Sequence, residues 1–139
     1  MSEQNNEAVV RRFVGEVIND GDYAVLPELV SSDYVYRSPG QELRGHKALE
    51  ALFNAYRSGL PDLKVTIDDL IESANKVVIS ITLTGAHTGD LMGIPATGRQ
   101  LAVQGMVLTR FEDGRIAEEW EILDMLGLFQ QLGVVSFPP

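Results

Sequence analysis

Hydrophobic residues in the first half of the chain recur every three or four positions, which is the spacing of an amphipathic helix. This pattern predicts helices over residues 5–18, 23–29 and 45–58. Between the last two, residues 33–37 are rich in aromatic and β-branched side chains, and Ser38-Pro39-Gly40 ends the run. We therefore predict one short strand before the third helix.

In the second half the pattern changes to strict alternation, which is typical of half-buried strands. Strands are predicted at 63–68, 76–84, 101–112 and 115–124. Asp113-Gly114 suits a tight hairpin turn between the last two strands. A longer loop at 89–99 and a final helix at 125–132 complete the pattern. We expect an α+β fold filling one domain, residues 1–139, in which a curved antiparallel sheet wraps around the helices like a cone and leaves a hydrophobic pocket.

Composition narrows the possible functions. The 139 residues include 11 Lys plus Arg against 20 Asp plus Glu, and the net charge of -9 repels nucleic acid and anionic membranes. There is no cysteine, and two histidines leave little for a metal site. The polar start and the lack of a long apolar run predict a cytoplasmic protein that acts without membrane, metal or cofactor.

The last predicted strand has two chemically different faces. Trp120, Ile122 and Asp124 share one face, whereas Glu119, Glu121 and Leu123 share the other. If the first face lines the pocket, Asp124 is a lone carboxylate whose desolvation raises its pKa, as a general acid or base requires. Asp is also a favoured N-cap, so Asp124 could instead begin the final helix. The two roles are compatible.

Three further polar side chains are candidates for substrate binding. Hairpin pairing places Gln104 near Asp124, where it faces the substrate or, by simple alternation, the solvent. Arg37 either enters the cavity and pairs with a carboxylate or lies at the surface. His87 is a proton carrier at the pocket mouth or a hydrogen-bonded structural residue.

Large apolar residues at helical or strand spacing usually pack in the core, and pocket lining is their second possible role. Four such residues are candidates: Phe53, Tyr56, Met106 and Trp120.

An ordered set of short motifs carries a family resemblance. The set comprises Gly45-His46 with Phe53, Leu60-Pro61-Asp62-Leu63, His87-Thr88-Gly89, the 93–99 run GIPATGR, the 111–116 run FEDGRI, Glu119-Trp120, Asp124 and the 130–133 run QQLG. In this order the chain resembles the SnoaL-like polyketide cyclase or ester cyclase family. That family lies within the cone-shaped superfamily that includes ketosteroid isomerases.

The resemblance implies a conical α+β barrel, often dimeric through its sheet, with an apolar pocket for a carbonyl compound. It also implies that Asp124 is the general acid/base of an intramolecular aldol closure of a polyketide methyl ester. Many relatives carry His where this chain has Arg37. Because Arg stays charged, it favours a substrate carboxylate or enolate, or an ion pair with Asp124 that lowers the acid's pKa.

The hypothesis is therefore a cofactor-independent acid/base enzyme acting on a small or medium apolar carbonyl compound, with aldol cyclisation as its reaction and a homodimer as its assembly. The alternatives are a binding module of the same shape without catalysis, or an isomerase or hydrolase using the same pocket.

Overall fold

The computed structural model describes residues 5–136. Within this range the α-helices are α1 (Asn6–Arg12), α2 (Leu26–Leu29), α3 (Gly45–Gly59) and α4 (Met125–Leu132). A π-helical segment (Phe13–Asn19) continues α1, and a 3₁₀ turn (Tyr23–Val25) precedes α2. The strands are β1 (Val30–Ser38), β2 (Gln41–Arg44), β3 (Lys64–Ser73), β4 (Lys76–Ala86), β5 (Gln100–Glu112) and β6 (Arg115–Leu123). Every predicted helix and strand is confirmed, and β2 is additional.

The N-terminal helix is the inner layer of the cone. Asn5 caps it by accepting a hydrogen bond from the amide of Ala8 (2.7 Å). The ring of Phe13 meets Phe53 of α3 edge to face, with centroids 6.0 Å apart. Asn19 then exchanges hydrogen bonds with the backbone of Val65, which fixes the end of the helical segment on β3. The concave side of the sheet is thereby partly filled by helix.

The sheet has the order β2-β1-β6-β5-β4-β3. Its second half is the predicted antiparallel meander, including the β5–β6 hairpin. In contrast, β1 pairs with β6 in parallel and with β2 in antiparallel orientation. The parallel β1–β6 pair is a departure from the antiparallel sheet that the sequence predicts, because alternation shows which face of a strand is buried but not which strand is its neighbour.

A bulge in β6 decides which side chains face the cavity. Ile116 pairs with Phe111, but Glu118 already pairs with Arg110, so Ala117 is an extra residue. Ile116 and Ala117 are both buried, and the inward face then passes to Glu119 and the residues two and four positions beyond it. One extra residue exchanges the two faces of the rest of the strand.

The predicted inward face of β6 is therefore wrong. Trp120 is 50% exposed and Ile122 is 63% exposed, and both lie on the outer surface of the sheet. The cavity lies between the inner face of the sheet and the helices.

Within residues 5–136, none of the helices has the length and apolar character that a membrane span requires.

Candidate active site

Two connected chambers lie between the sheet and the helices. The inner chamber holds about 40 Å³ of free space and is walled by apolar side chains of α1, its π-helical continuation and β4. The outer chamber holds about 380 Å³ and opens between α3, the 87–99 loop and the start of α4. Tyr36, Tyr56 and Glu121 line both chambers and mark the passage between them.

Two tyrosine–glutamate pairs cross from β1 to β6. The hydroxyl of Tyr34 donates to Glu119 Oε1 at 2.6 Å, and the hydroxyl of Tyr36 donates to Glu121 Oε1. Thr109 of β5 adds a longer contact to Glu119 Oε2 at 3.4 Å. Because residues two apart on a strand share a face, the side-by-side strands place both acids and both phenols on the cavity side.

Burial shifts the pKa of both acids upward. Desolvation raises the pKa of Glu119 to about 7; the Tyr34 hydrogen bond opposes this shift and the charge of Glu121 adds to it. Desolvation likewise raises the pKa of Glu121, against the hydrogen bond from Tyr36. Burial and the Glu121 charge raise the pKa of Tyr56 to about 12, so its hydroxyl remains a donor at neutral pH.

The charge of the site is wholly acidic. Among the described residues lining the two chambers, the charged side chains are Glu119 and Glu121, with no Lys, Arg or His. An anionic ligand would meet repulsion here and no cation to offset it. The site therefore favours a neutral ligand.

The structure places Arg37 outside the cavity, which corrects its expected role in pairing with a ligand or with Asp124. Its Nε lies 2.8 Å from Glu118 Oε2, and the guanidinium also pairs with Glu42. It lies over the ring of Trp120, 5.6 Å from the centroid. Arg37 is on the outer face because it neighbours inward Tyr36 on the same strand.

Asp124 also lies outside the two chambers. It is exposed at the start of α4, and its Oδ1 accepts the amide of Gly127 at 2.9 Å, which is the N-cap geometry. Its own amide donates to the carbonyl of Gln104 at 2.8 Å, as the hairpin pairing predicts. Gln104, Met106 and Asp124 line a shallow groove on the outer surface of the sheet, away from the acids.

The other predicted residues divide into two groups. Phe53 and Tyr56 of α3 line the inner chamber. His87 is fully buried below the 87–99 loop, where Nδ1 accepts the amide of Thr97 at 3.2 Å and Nε2 donates to the carbonyl of Ile94 at 3.2 Å. That arrangement matches the structural alternative for His87, since both ring nitrogens are used within the loop.

The four residues of the two tyrosine–glutamate pairs are not among the candidates that the sequence patterns indicate. A usable signal was present: Tyr34 and Tyr36 repeat at a spacing of two, and so do Glu119 and Glu121. Two acids on one strand face and two phenols on another can satisfy one another. The signal is decisive only when the two strands are known to be neighbours.

An α+β cone with acid groups in an apolar cavity defines a class of proteins suited to acid/base chemistry on neutral compounds. The chain belongs to the SnoaL-like polyketide cyclase family, whose model matches residues 8–132. The predicted family and fold class are thus confirmed.

The individual relatives are consistent with that assignment. Aklanonic acid methyl ester cyclase DnrD of Streptomyces peucetius is 31% identical over 132 residues, covering 90% of this chain and 88% of the relative. Aklanonic acid methyl ester cyclase AcmA of Streptomyces galilaeus is 30% identical over 139 residues, covering 96% and 92%. The solved structure of TsrD from Streptomyces laurentii has a TM-score of 0.85 at 30% identity, covering 97% of this chain and 100% of that one.

Proposed function

We propose that this chain is a cofactor-independent cyclase that closes a ring by intramolecular aldol condensation of a neutral polyketide ester. The observation that supports it most directly is the position of Glu121, a carboxylate with a raised pKa at the passage between two apolar chambers. Desolvated carboxylates of this kind suit proton removal near neutral pH.

Glu121 is the base in this mechanism. It removes a proton from a carbon next to a carbonyl group, and the C–H electron pair becomes an enolate. The enolate carbon attacks a second carbonyl of the same molecule, which forms the C–C bond and an alkoxide. The proton held by Glu121 then returns to the alkoxide, so no atom or electron is lost.

Two tyrosines support this base. Tyr36 donates to Glu121 and fixes the orientation of its carboxylate. Tyr56 lines both chambers beside Glu121, and its hydroxyl stabilises the oxygen on which negative charge develops. Phe53 completes the apolar wall against which the substrate packs.

The charge of the lining selects the form of the substrate. A free carboxylate would enter an acidic lining without a cation to pair with, whereas a methyl ester is neutral. The names of DnrD and AcmA specify a methyl ester, and the lack of a cation in this cavity gives a physical reason for the same preference here. Arg37 does not reverse this preference, because its guanidinium pairs with Glu118 on the outer face of the sheet.

The test is turnover of aklanonic acid methyl ester, followed by liquid chromatography and mass spectrometry. We expect cyclisation by the parent chain, a loss of about 10² or more in Glu121→Gln, and a change below about threefold in Asp124→Asn. The reverse pattern would make Asp124 the base, as the resemblance implied. Bound but unconverted ester in the parent chain would favour the binding module.

The same proposal includes a homodimer formed through the outer face of the sheet. An exposed apolar strip runs along the outer face of β5 and β6, where alternation normally places polar residues. It consists of Met106, Leu108, Trp120 and Ile122. Arg37, Arg110 and Glu118 lie at its edge, so a two-fold pairing can oppose charges of unlike sign. A single mass of 15.3 kDa by light scattering would refute the dimer.

A further inference from the structure

A two-residue turn at the mouth of the outer chamber has an unusual backbone. The amides of Leu91 and Ile94 each donate to the other's carbonyl, at 3.0 and 2.8 Å. Between them, Met92 has a φ of 52° and Gly93 a φ of 80°. Two consecutive left-handed residues define a type I′ turn, whose first position favours Asn, Asp or Gly. A long side chain such as Met is disfavoured there.

The surrounding structure holds this turn firmly in place. Leu91 is buried, and a Cβ on Gly59 would lie 2.6 Å from the Cβ of Leu91. The amide of Gly89 donates to the carbonyl of Gly59 at 3.1 Å, which joins the loop to the end of α3. His87 ties the other side of the loop through its bond to the carbonyl of Ile94. The turn is therefore docked on both sides, and its strained residue cannot relax by moving the loop.

Met92 itself is the part of the turn that does not pack into the protein. Its side chain is 49% exposed and lines the outer chamber, facing a wall formed by Leu52, Ala55 and Met125. Backbone strain that the fold maintains at a cavity mouth is a feature of ligand-contacting residues. The unbranched thioether adapts to irregular apolar shapes.

We propose that Met92 is a specificity-determining residue that covers the apolar part of the substrate farthest from the reacting carbonyls. This inference rests on the proposed cyclase function. Glu121 and the two tyrosines lie at the inner end of the outer chamber, and Met92 lies at its mouth. Met92 thus contacts substrate without taking part in proton transfer.

The test compares Met92→Gly with Met92→Leu and uses Ala74→Gly as a matched control. Ala74 also has a left-handed backbone, with a φ of 54°, but it lies in the β3–β4 turn away from the chambers. Both glycine variants relieve strain, so we expect Tm to rise by about 2 °C in each. Only Met92→Gly should raise KM, by about 5- to 10-fold with kcat within about twofold, because apolar contact is lost. Met92→Leu should retain the parent KM within about twofold.

An unchanged KM in Met92→Gly, or an equal rise in Ala74→Gly, would overturn the inference. Binding of the neutral fluorophore Nile red tests the ligand contact of Met92 separately from the proposed cyclase function. If the parent chain cyclises the ester but neither KM nor Nile red affinity responds to Met92→Gly, the specificity role fails and the cyclase stands. If no ester is cyclised but Nile red affinity falls about 5-fold in Met92→Gly alone, the cyclase fails and Met92 remains a ligand contact.

Discussion

The two faces of β6 reverse the usual distribution of polar and apolar residues. Its inner face buries Glu119 and presents Glu121 to the cavity, while its outer face exposes Trp120 and Ile122. On a one-sided antiparallel sheet the apolar residues normally face inward. The inner face of this strand therefore carries the groups suited to acid/base chemistry. Hydrogen bonds from Tyr34 and Tyr36 offset the cost of burying these acids.

The outer face of β6 holds its acid in ion pairs. Glu118 is held between Arg37 and Arg110, with its oxygens 2.8 and 3.2 Å from their Nε atoms. These hydrogen bonds lower the pKa of Glu118, whereas burial raises the pKa of its neighbour Glu119. The pKa values of these two consecutive glutamates therefore shift in opposite directions, because their side chains point to opposite sides of one sheet.

The largest effect is expected from inserting one glycine between Glu118 and Glu119, just beyond the bulge at Ala117. Regular pairing would then turn Trp120 and Ile122 inward and both cavity acids outward, so we expect no cooperatively folded protein. Ala117→Gly keeps the residue count and should fold with a modest loss of stability. Circular dichroism and the fluorescence of Trp120 report the outcome; a folded insertion variant with the parent's emission spectrum would show that the number of residues in β6 does not set the faces.

The pH dependence of stability distinguishes the two faces next. The pKa of Glu119 is about 7 in the folded chain against an ordinary value of 4.5 for a glutamate carboxyl, so its contribution to stability is present below about pH 4.5 and is lost as the pH rises through 7. In the parent chain this shift should lower the free energy of unfolding by about 3 kcal/mol between pH 4.5 and 8. Glu119→Gln should abolish that decline.

Glu118→Gln is the control for that experiment. Because the pKa of Glu118 is lowered from 4.5, its contribution to stability is fully present above about pH 4.5 and is lost only below it, so Glu118→Gln should leave the decline between pH 4.5 and 8 unchanged. Urea titrations of both variants across this range provide the measurement. Parallel curves for the parent chain and Glu119→Gln would contradict the buried, proton-holding state of Glu119.

A smaller effect is expected from Tyr34→Phe. It removes the 2.6 Å hydrogen bond to Glu119 and leaves that buried acid with only the longer Thr109 contact. The free energy of unfolding should fall by about 1–3 kcal/mol, and the pKa of Glu119 should rise further because a lowering contact is gone. Thr109→Val, which removes the weaker contact, should cost less. An equal cost for the two variants would refute the dominance of Tyr34.

The smallest effect on the folded chain is expected from Ile122→Glu on the outer face. Its side chain is 63% exposed, so the stability of the monomer should change by at most about 0.5 kcal/mol. The mass measured by light scattering should instead fall from dimer to monomer. Ile71→Glu is the control, since Ile71 of β3 is equally exposed at 63% but lies outside the apolar strip. A dimer that survives Ile122→Glu and dissociates with Ile71→Glu would locate the interface elsewhere.

Local patterns in the sequence were sufficient for most of the fold. The period of the apolar residues distinguishes helix from strand, and Asp113-Gly114 fixes the β5–β6 hairpin, because both signals arise from neighbours along the chain. The position of Asp124 before α4 was also readable as an N-cap. The inward position of the acid pair does not follow from local patterns, because Trp120 and Ile122 are the natural inward residues of a strand without a bulge.

The sequence by itself thus determined an acidic α+β chain of the SnoaL-like type, with Phe53 and Tyr56 on a helix that faces the sheet. Tertiary structure alone decided which acids meet the cavity, because that depends on one extra residue at Ala117 and on the parallel pairing of β1 with β6. Alternation specifies two faces but not which of them is inside. Only the neighbouring strand, by bringing Tyr36 to Glu121, supplies the hydrogen bond that allows the acid to be there.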